Sequence, residues 1–300
     1  MKASVPPLTA AHTRDRVGIG IFLELAKARL TALVLFTTLV GFYMGSIGSP
    51  NLVLMFSAMV GTALVAAGSA ALNQVIEKEH DLRMVRTESR PLPSGRLSPE
   101  SARFFGLVCA GVGLIWLALA VNLITCLLGL VTLLSYLFVY TPLKRISPLN
   151  TVVGALAGGL PPLMGWTAAR GEMSAGGWAL FVILFLWQLP HFFAIAWIYR
   201  EEYANAGFRM LPVVDPSGTR TGRQALVHSV GLLAVSVGPF LLGLSGTLYL
   251  VVSLILGAAF LGFAFRFWQD LTHCRARQLF FMSIIYLPVL LGVMVFDKIG

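Results

Sequence analysis

Long apolar stretches separated by short polar turns set the pattern of this chain, near 28–46, 52–76, 104–121, 123–140, 151–169, 178–199, 224–243, 247–265 and 279–296. Each is long enough to cross a hydrocarbon core about 30 Å thick, which takes roughly 20 helical residues. Lipid offers no water to backbone amides, so such stretches are expected to be helices. The pattern therefore predicts an all-α polytopic membrane protein, a single domain over 1–300 built as a bundle of nine transmembrane helices. The first stretch follows a polar lead containing Arg14, Asp15, Arg16 and Glu24 and precedes eight more, which is unlike a cleaved secretory signal.

Composition agrees: 57% of residues are hydrophobic and 12% charged, against about 25% charged in a soluble domain. The net charge of +9 would suggest a nucleic-acid or acidic-surface partner in a soluble protein. Placing the charges changes that. With the N-terminus cytoplasmic and the C-terminus external, all 22 Lys+Arg residues except Arg170 and Lys298 fall inside, as the positive-inside rule asks. All 13 Asp+Glu residues except Glu172 and Asp297 fall on the same side, so that face carries the entire excess. Anchoring to lipid would need the cations but not those carboxylates, and no nucleic-acid partner is expected.

The external connections are short and nearly bare. The inside face holds an N-terminal arm (1–27) and two long loops, 77–103 and 200–223, where an active site is expected. Cys109, Cys126 and Cys274 are too scattered for a disulfide framework or metal cluster. The arm lacks the Ser/Arg-rich, acid-free character of an organelle transit peptide, which points to a bacterial (inner) membrane.

The second stretch ends Asn73-Gln-Val-Ile-Glu77-Lys-Glu-His-Asp81. Residues four apart share a helical face, so Asn73, Glu77 and Asp81 form a column of oxygen groups. Hard cations such as Mg²⁺ bind oxygen through one or two carboxylates together with substrate phosphates. Carboxylates at a helix C-terminus also oppose its dipole by about 0.3–1 kcal/mol each, a conflict a bound cation would remove. Arg86 and Arg90 follow at once, and arginine forks suit phosphate oxygens. The plainer alternative is that these charges pair with one another in a solvated loop, but Asn73 lies inside the apolar run, where polar groups usually serve function.

The sixth stretch is interrupted by Gln188, Pro190 and His191 and ends Tyr199-Arg-Glu-Glu202-Tyr203, again carboxylates beside a cationic loop. His191 is either a core histidine bonded to a neighbour or a ligand, proton carrier or substrate contact. Lys144 and Arg145 after the fourth stretch, and Lys27 and Arg29 before the first, are either interfacial anchors or diphosphate contacts. Gly154 and Gly158, four apart, permit close helix contact.

Taken together these blocks resemble the UbiA-type intramembrane prenyltransferases, in the protohaem IX farnesyltransferase (haem O synthase) branch. The resemblance rests on Asn73-x₃-Glu77-x₃-Asp81-x₂-Met84-x-Arg86-Thr87-x₂-Arg90-Pro91, Tyr140-Thr-Pro-Leu-Lys144-Arg145, Asn150 with Gly154 and Gly158, and Pro161-Pro162-Leu-Met-Gly165-Trp166. It continues through Trp187-Gln188-x-Pro190-His191 and Glu202-Tyr203-x₃-Gly207-x₂-Met210-Leu-Pro-Val213. The chain departs from the family in having Glu202 where Asp is usual, and Ala28 where Pro usually separates the two basic residues.

The resemblance implies Mg²⁺-dependent transfer of farnesyl from farnesyl diphosphate to the 2-vinyl group of protohaem IX, with water addition. It implies Asn73, Glu77, Asp81 and Glu202 as catalytic and metal-holding residues. Arg86, Arg90, Lys144, Arg145, Lys27 and Arg29 would bind the diphosphate, and His191, Tyr199 and Gln188 would lie on the haem side. Partners in haem handling or oxidase assembly are implied in the same way. Two other readings remain: a related prenyltransferase acting on a different aromatic or tetrapyrrole acceptor, and a transporter, which would place polar groups deep in several helices and at both faces.

Overall fold

The computed structural model describes residues 18–299. Most of the N-terminal arm, with His12, Arg14, Asp15 and Arg16, lies outside the described residues. Within them nine helices are long and apolar enough to span a membrane: α1 (Ala28–Gly45), α2 (Leu52–Asp81), α3 (Pro99–Ala120), α4 (Leu123–Leu143), α5 (Asn150–Arg170), α6 (Ala175–Ile198), α7 (Thr219–Leu241), α8 (Thr247–Gln269) and α9 (His273–Phe296). The described residues contain no strand, only an isolated bridge between Ser245 and Lys298. Side chains accepting a backbone amide start several of these helices: Asn51, Ser98, Asn122 and Thr272 accept from the third residue on. The spans match the expected ones with small shifts at their ends. One of them bears on function: α2 continues past 76 to Asp81, so the whole column of Asn73, Glu77 and Asp81 rides on the helix.

α5 and α6 form the centre, with 72% and 56% of their apolar windows buried, whereas α3, α4, α7 and α8 are buried to 28% or less. The outer helices turn large apolar side chains such as Leu119, Phe138 and Ile255 outward, where lipid would cover them. Two close approaches fix α1 against α5. A Cβ on Gly41 would collide with the carbonyl of Pro162, and one on Gly165 with the carbonyl of Thr38, so only glycine fits at either point. The Gly154 and Gly158 pair acts differently from the helix contact expected: Gly154 makes room for the Tyr140 ring and Gly158 for the Gln188 amide.

α4 widens into a π-helical turn over Ser135–Tyr140. Pro142 supplies the cause, since its ring would press on the carbonyl four residues back. On the face opposite the long loops, the two exceptional cations cap the end of α1. Arg170 Nε donates to Gly45 O (2.7 Å) and Lys298 Nζ to Tyr43 O (2.9 Å) and Ser46 O (2.7 Å). These are carbonyls a helix terminus leaves unpaired.

Candidate active site

The polar column on α2 is deeply buried, with Asn73, Glu77 and Asp81 at 0%, 4% and 1% exposure. Charges at such depth need partners, and a cation meets each rung. Lys27 Nζ donates to Asn73 Oδ1 at 3.0 Å, Lys144 Nζ to Glu77 Oε2 at 3.1 Å, and Arg90 Nη1 to Asp81 Oδ2 at 2.7 Å. Tyr136 Oη also donates to Asn73 Oδ1 (3.3 Å), and Asn73 Nδ2 donates to Thr141 Oγ1 (3.1 Å), which fixes the amide orientation. Thr87 Oγ1 donates to Asp81 O (2.7 Å), tying the loop back onto the helix end.

Lys27 is the one non-glycine described residue with a left-handed backbone, at φ 50°, a conformation costing about 1–3 kcal/mol that persists only where surroundings hold it. It sits at the break between the short helix Ile19–Leu25 and α1, anchored by Asn73. A proline at 28 would crowd the Lys27 backbone; Ala28 leaves it free to take this turn. Burial, reinforced by Arg90 and Lys144, pushes the Lys27 ammonium down to about 7. Burial also opposes charge on Lys144, but Tyr140 and the bonded Glu77 outweigh it and hold that ammonium above its ordinary range.

These groups open onto a cavity of about 200 Å³ whose walls include Lys27, Glu77, Asp81, Arg86, Arg90 and Lys144. It adjoins a second cavity of about 260 Å³ running between α1, α2, α4, α5 and α6, lined mainly by apolar side chains such as Val34, Val65 and Met164. Tyr136, Tyr140 and Phe192 border both. The two tyrosines stack at 5.4 Å, and Lys144 Nζ lies 4.5 Å from the Tyr140 ring centre. Sequence reasoning did not assign these tyrosines a role. Their four-residue spacing at the polar end of an apolar span, just before Pro142, is the signal that marks them.

The remaining expected site residues separate. Arg29 and Arg145 are exposed and line neither cavity; Arg145 Nη1 instead lies 3.5 Å from His80 Nε2. Glu202 accepts from Arg86 N (3.2 Å) and, with Tyr199, lines a further cavity between α6 and α9. Arg86 borders that cavity and the polar one, its guanidinium over Tyr199 (4.9 Å) and Tyr203 (5.5 Å). Gln188 faces the apolar cavity, away from Tyr199. His191 is sandwiched between Trp187 and Phe280, at 5.1 Å from each. Its Nδ1 lies 2.7 Å from Ser283 Oγ, which is also within 2.5 Å of Phe280 O, so the imidazole is tied to α9.

No group of three or more His, Cys, Asp or Glu residues converges as a ready-made metal centre among the described residues. The column splits instead, with Asn73 spent on Lys27, Tyr136 and Thr141. Glu77 and Asp81 still suit a hard cation. Glu77 Oε1 is 2.8 Å from Lys144 Nζ but out of hydrogen-bonding line, leaving it buried without a donor. Asp81 binds Arg90 through Oδ2 alone. Each carboxylate thus keeps an oxygen for a cation brought in with a polyanion, the usual mode for Mg²⁺.

A model of the UbiA prenyltransferase family matches residues 34–285. The chain is 46% identical to a protein named protoheme IX farnesyltransferase from Solibacter usitatus (strain Ellin6076), over 93% of this chain and 99% of that one. Among solved structures it superposes on that of a digeranylgeranylglyceryl phosphate synthase with a TM-score of 0.80 at 18% identity, covering 93% of this chain and 98% of that one. A UbiA homolog from Archaeoglobus fulgidus, bound to GPP and Mg²⁺, gives a TM-score of 0.64 at 15% identity over 91% and 99% of the two chains. These two likenesses concern the fold.

Proposed function

The chain belongs to the UbiA prenyltransferase family, and from that premise we propose that it transfers the farnesyl group of farnesyl diphosphate to the 2-vinyl group of protohaem IX, giving haem O and diphosphate. One observation carries the reading: a cavity walled by Lys27, Arg86, Arg90 and Lys144 adjoins, across two stacked tyrosines, an apolar cavity. That is the shape of a diphosphate joined to an isoprenoid chain. The 46%-identical relative's name supplies the acceptor.

Lys27, Arg86, Arg90 and Lys144 neutralise the diphosphate and favour the charge that grows on it as the C–O bond ionises. Glu77 and Asp81 would hold Mg²⁺ brought in with the substrate, Asn73 keeps Lys27 in place behind them, and Glu202 closes the site from the Arg86 side. Bound there, Mg²⁺ would supply further positive charge to the leaving diphosphate. The Tyr136 and Tyr140 faces stand where the allylic cation forms and stabilise it through their π systems. The apolar walls beyond keep water from trapping it early. The vinyl terminus attacks farnesyl C1 to form the C–C bond, the cation left beside the ring takes up water, and a proton departs, giving the hydroxyethylfarnesyl side chain.

The same reading places the long loops on the cytoplasmic side of a bacterial inner membrane, where the net charge of +9 collects. The test is incubation of the purified protein with haem, farnesyl diphosphate and Mg²⁺. The reading expects a porphyrin whose mass has gained a farnesyl group and a hydroxyl group. Unmodified haem, with farnesyl appearing on another aromatic acceptor offered in parallel, would overturn the choice of acceptor.

A further inference from the structure

A cavity of about 590 Å³, larger than the polar and apolar ones, lies outside the diphosphate site, between the C-terminal end of α6 and the start of α9. Its volume is that of a pocket for a molecule well above fragment size. Its floor is apolar, from Ile195 and Ile198 on α6 and Phe280 and Phe281 on α9. At its outer edge stand His273 and Arg277, both exposed. Arg277 extends over the Phe281 ring at 6.0 Å and forms no ion pair among the described residues, unlike Arg275 two positions earlier, which pairs with Asp270 at 3.6 Å. At its inner edge Arg86 and Ile195 form a wall shared with the diphosphate cavity. Phe280 is held by the His191 ring stacked on it and by Ser283, which donates to its carbonyl.

Both edges carry a cation, but Arg86 is engaged by the Tyr203 hydroxyl and by the Tyr199 and Tyr203 rings, with the Glu202 carboxylate beside it on the same lining. Arg277 has no carboxylate partner among the described residues, so a flat apolar disc with anionic groups on one edge and a reactive group on another fits with its anionic edge at Arg277. Protohaem is such a disc, its two propionates on the side away from the 2-vinyl. Resting on the acceptor proposed above, we infer that the tetrapyrrole binds in the α6–α9 cavity with its propionate edge at Arg277 and its 2-vinyl edge at Ile195, facing the diphosphate cavity through the shared wall. Arg277 is then a specificity-determining residue that recognises the acceptor by its carboxylates. Arginine is suited to this by its bidentate geometry. The His191, Trp187 and Phe280 stack positions the floor without touching the reacting atoms.

The test is spectroscopic titration of the full-length protein in detergent with protohaem and with protohaem dimethyl ester, alongside farnesyl diphosphate binding with Mg²⁺. The wild type is expected to prefer the free acid. Arg277→Gln should weaken free-acid binding about tenfold or more, the size of a lost charge-assisted hydrogen bond. It should erase the preference over the diester and leave farnesyl diphosphate affinity unchanged, which also certifies the fold. Arg277→Glu should weaken the free acid further while diester binding stays level. Unchanged haem affinity and an intact free-acid preference in Arg277→Gln would overturn the inference, even if haem is prenylated normally. Haem that binds with the predicted Arg277 dependence but is never prenylated would instead count against the proposed reaction alone.

Discussion

The ends of α2 and α6 carry the same kind of sequence, carboxylates closing an apolar helix just before a cationic loop, yet the fold uses them differently. At α2 the helix runs unbroken to Asp81 and its acidic side chains are sealed in, Asp81 meeting Arg90 at 2.7 Å and Glu77 meeting Lys144 at 2.8 Å. At α6 the helix stops at Ile198, Tyr199 leaves helical geometry, and Glu201 stays exposed, 3.9 Å from Arg200. The difference lies in what packs around each end. The loop after α2 folds back through Thr87 onto Asp81, and Lys27 and Lys144 arrive from two other helix ends. Glu202 has one backbone amide, that of Arg86. The first cluster is therefore tied together from several chain segments, whereas the second is held by a single backbone contact and stays open.

Substitutions at matched positions sharpen that contrast. Asp81→Asn keeps the shape but loses the charge that pairs Arg90 and that the proposed Mg²⁺ would need, so transfer should fall by about 10³-fold, roughly 4 kcal/mol of barrier. Glu202→Gln, which can still accept from Arg86 N, should lose only about tenfold. Single-turnover rates at saturating Mg²⁺ and farnesyl diphosphate separate the two, and equal losses would break the distinction. Lys144→Met strands the Glu77 carboxylate in the interior and should cost about 3 kcal/mol of stability, visible as a lowered thermal unfolding midpoint in detergent. Next, Arg86→Lys gives up the stacking on Tyr199 and Tyr203, worth about 1–2 kcal/mol. Because Arg86 borders both cavities, KM should rise several-fold for haem and for farnesyl diphosphate, whereas Arg90→Lys should raise it for the diphosphate alone. The smallest effect belongs to Arg145→Met and Arg29→Met, within about 0.5 kcal/mol in stability and with near-normal turnover.

Much of this was legible in the amino-acid pattern, for identifiable reasons. A bilayer admits few ways to satisfy a backbone, so each long apolar run became a helix close to its expected limits. The column of Asn73, Glu77 and Asp81 follows from helical spacing alone. The partners of those rungs do not, because Lys27, Lys144 and Arg90 come from three separate chain segments. Nor does helical spacing say that Lys144 would turn inward while Arg145, one residue on, would turn out. On α6, Gln188, His191 and Tyr199 read as one polar group, but a central helix touches a different neighbour on each side. Gln188 meets α5, His191 meets α9 through Ser283, and Tyr199 lies beyond the last helical turn. The tyrosine pair of α4 depended on a π-helical turn, which Pro142 hints at and only the packed fold displays.

The proposed reaction stands on the α2 cluster receiving a metal-bound diphosphate. Its most direct test is Mg²⁺-dependent binding of a non-hydrolysable farnesyl thiodiphosphate, measured without haem, in the wild type, Asp81→Asn and Glu202→Gln. The account predicts tight binding to the wild type that chelation of Mg²⁺ abolishes, near-complete loss in Asp81→Asn, and retention within about tenfold in Glu202→Gln. Equal binding by Asp81→Asn and the wild type, with or without Mg²⁺, would contradict it.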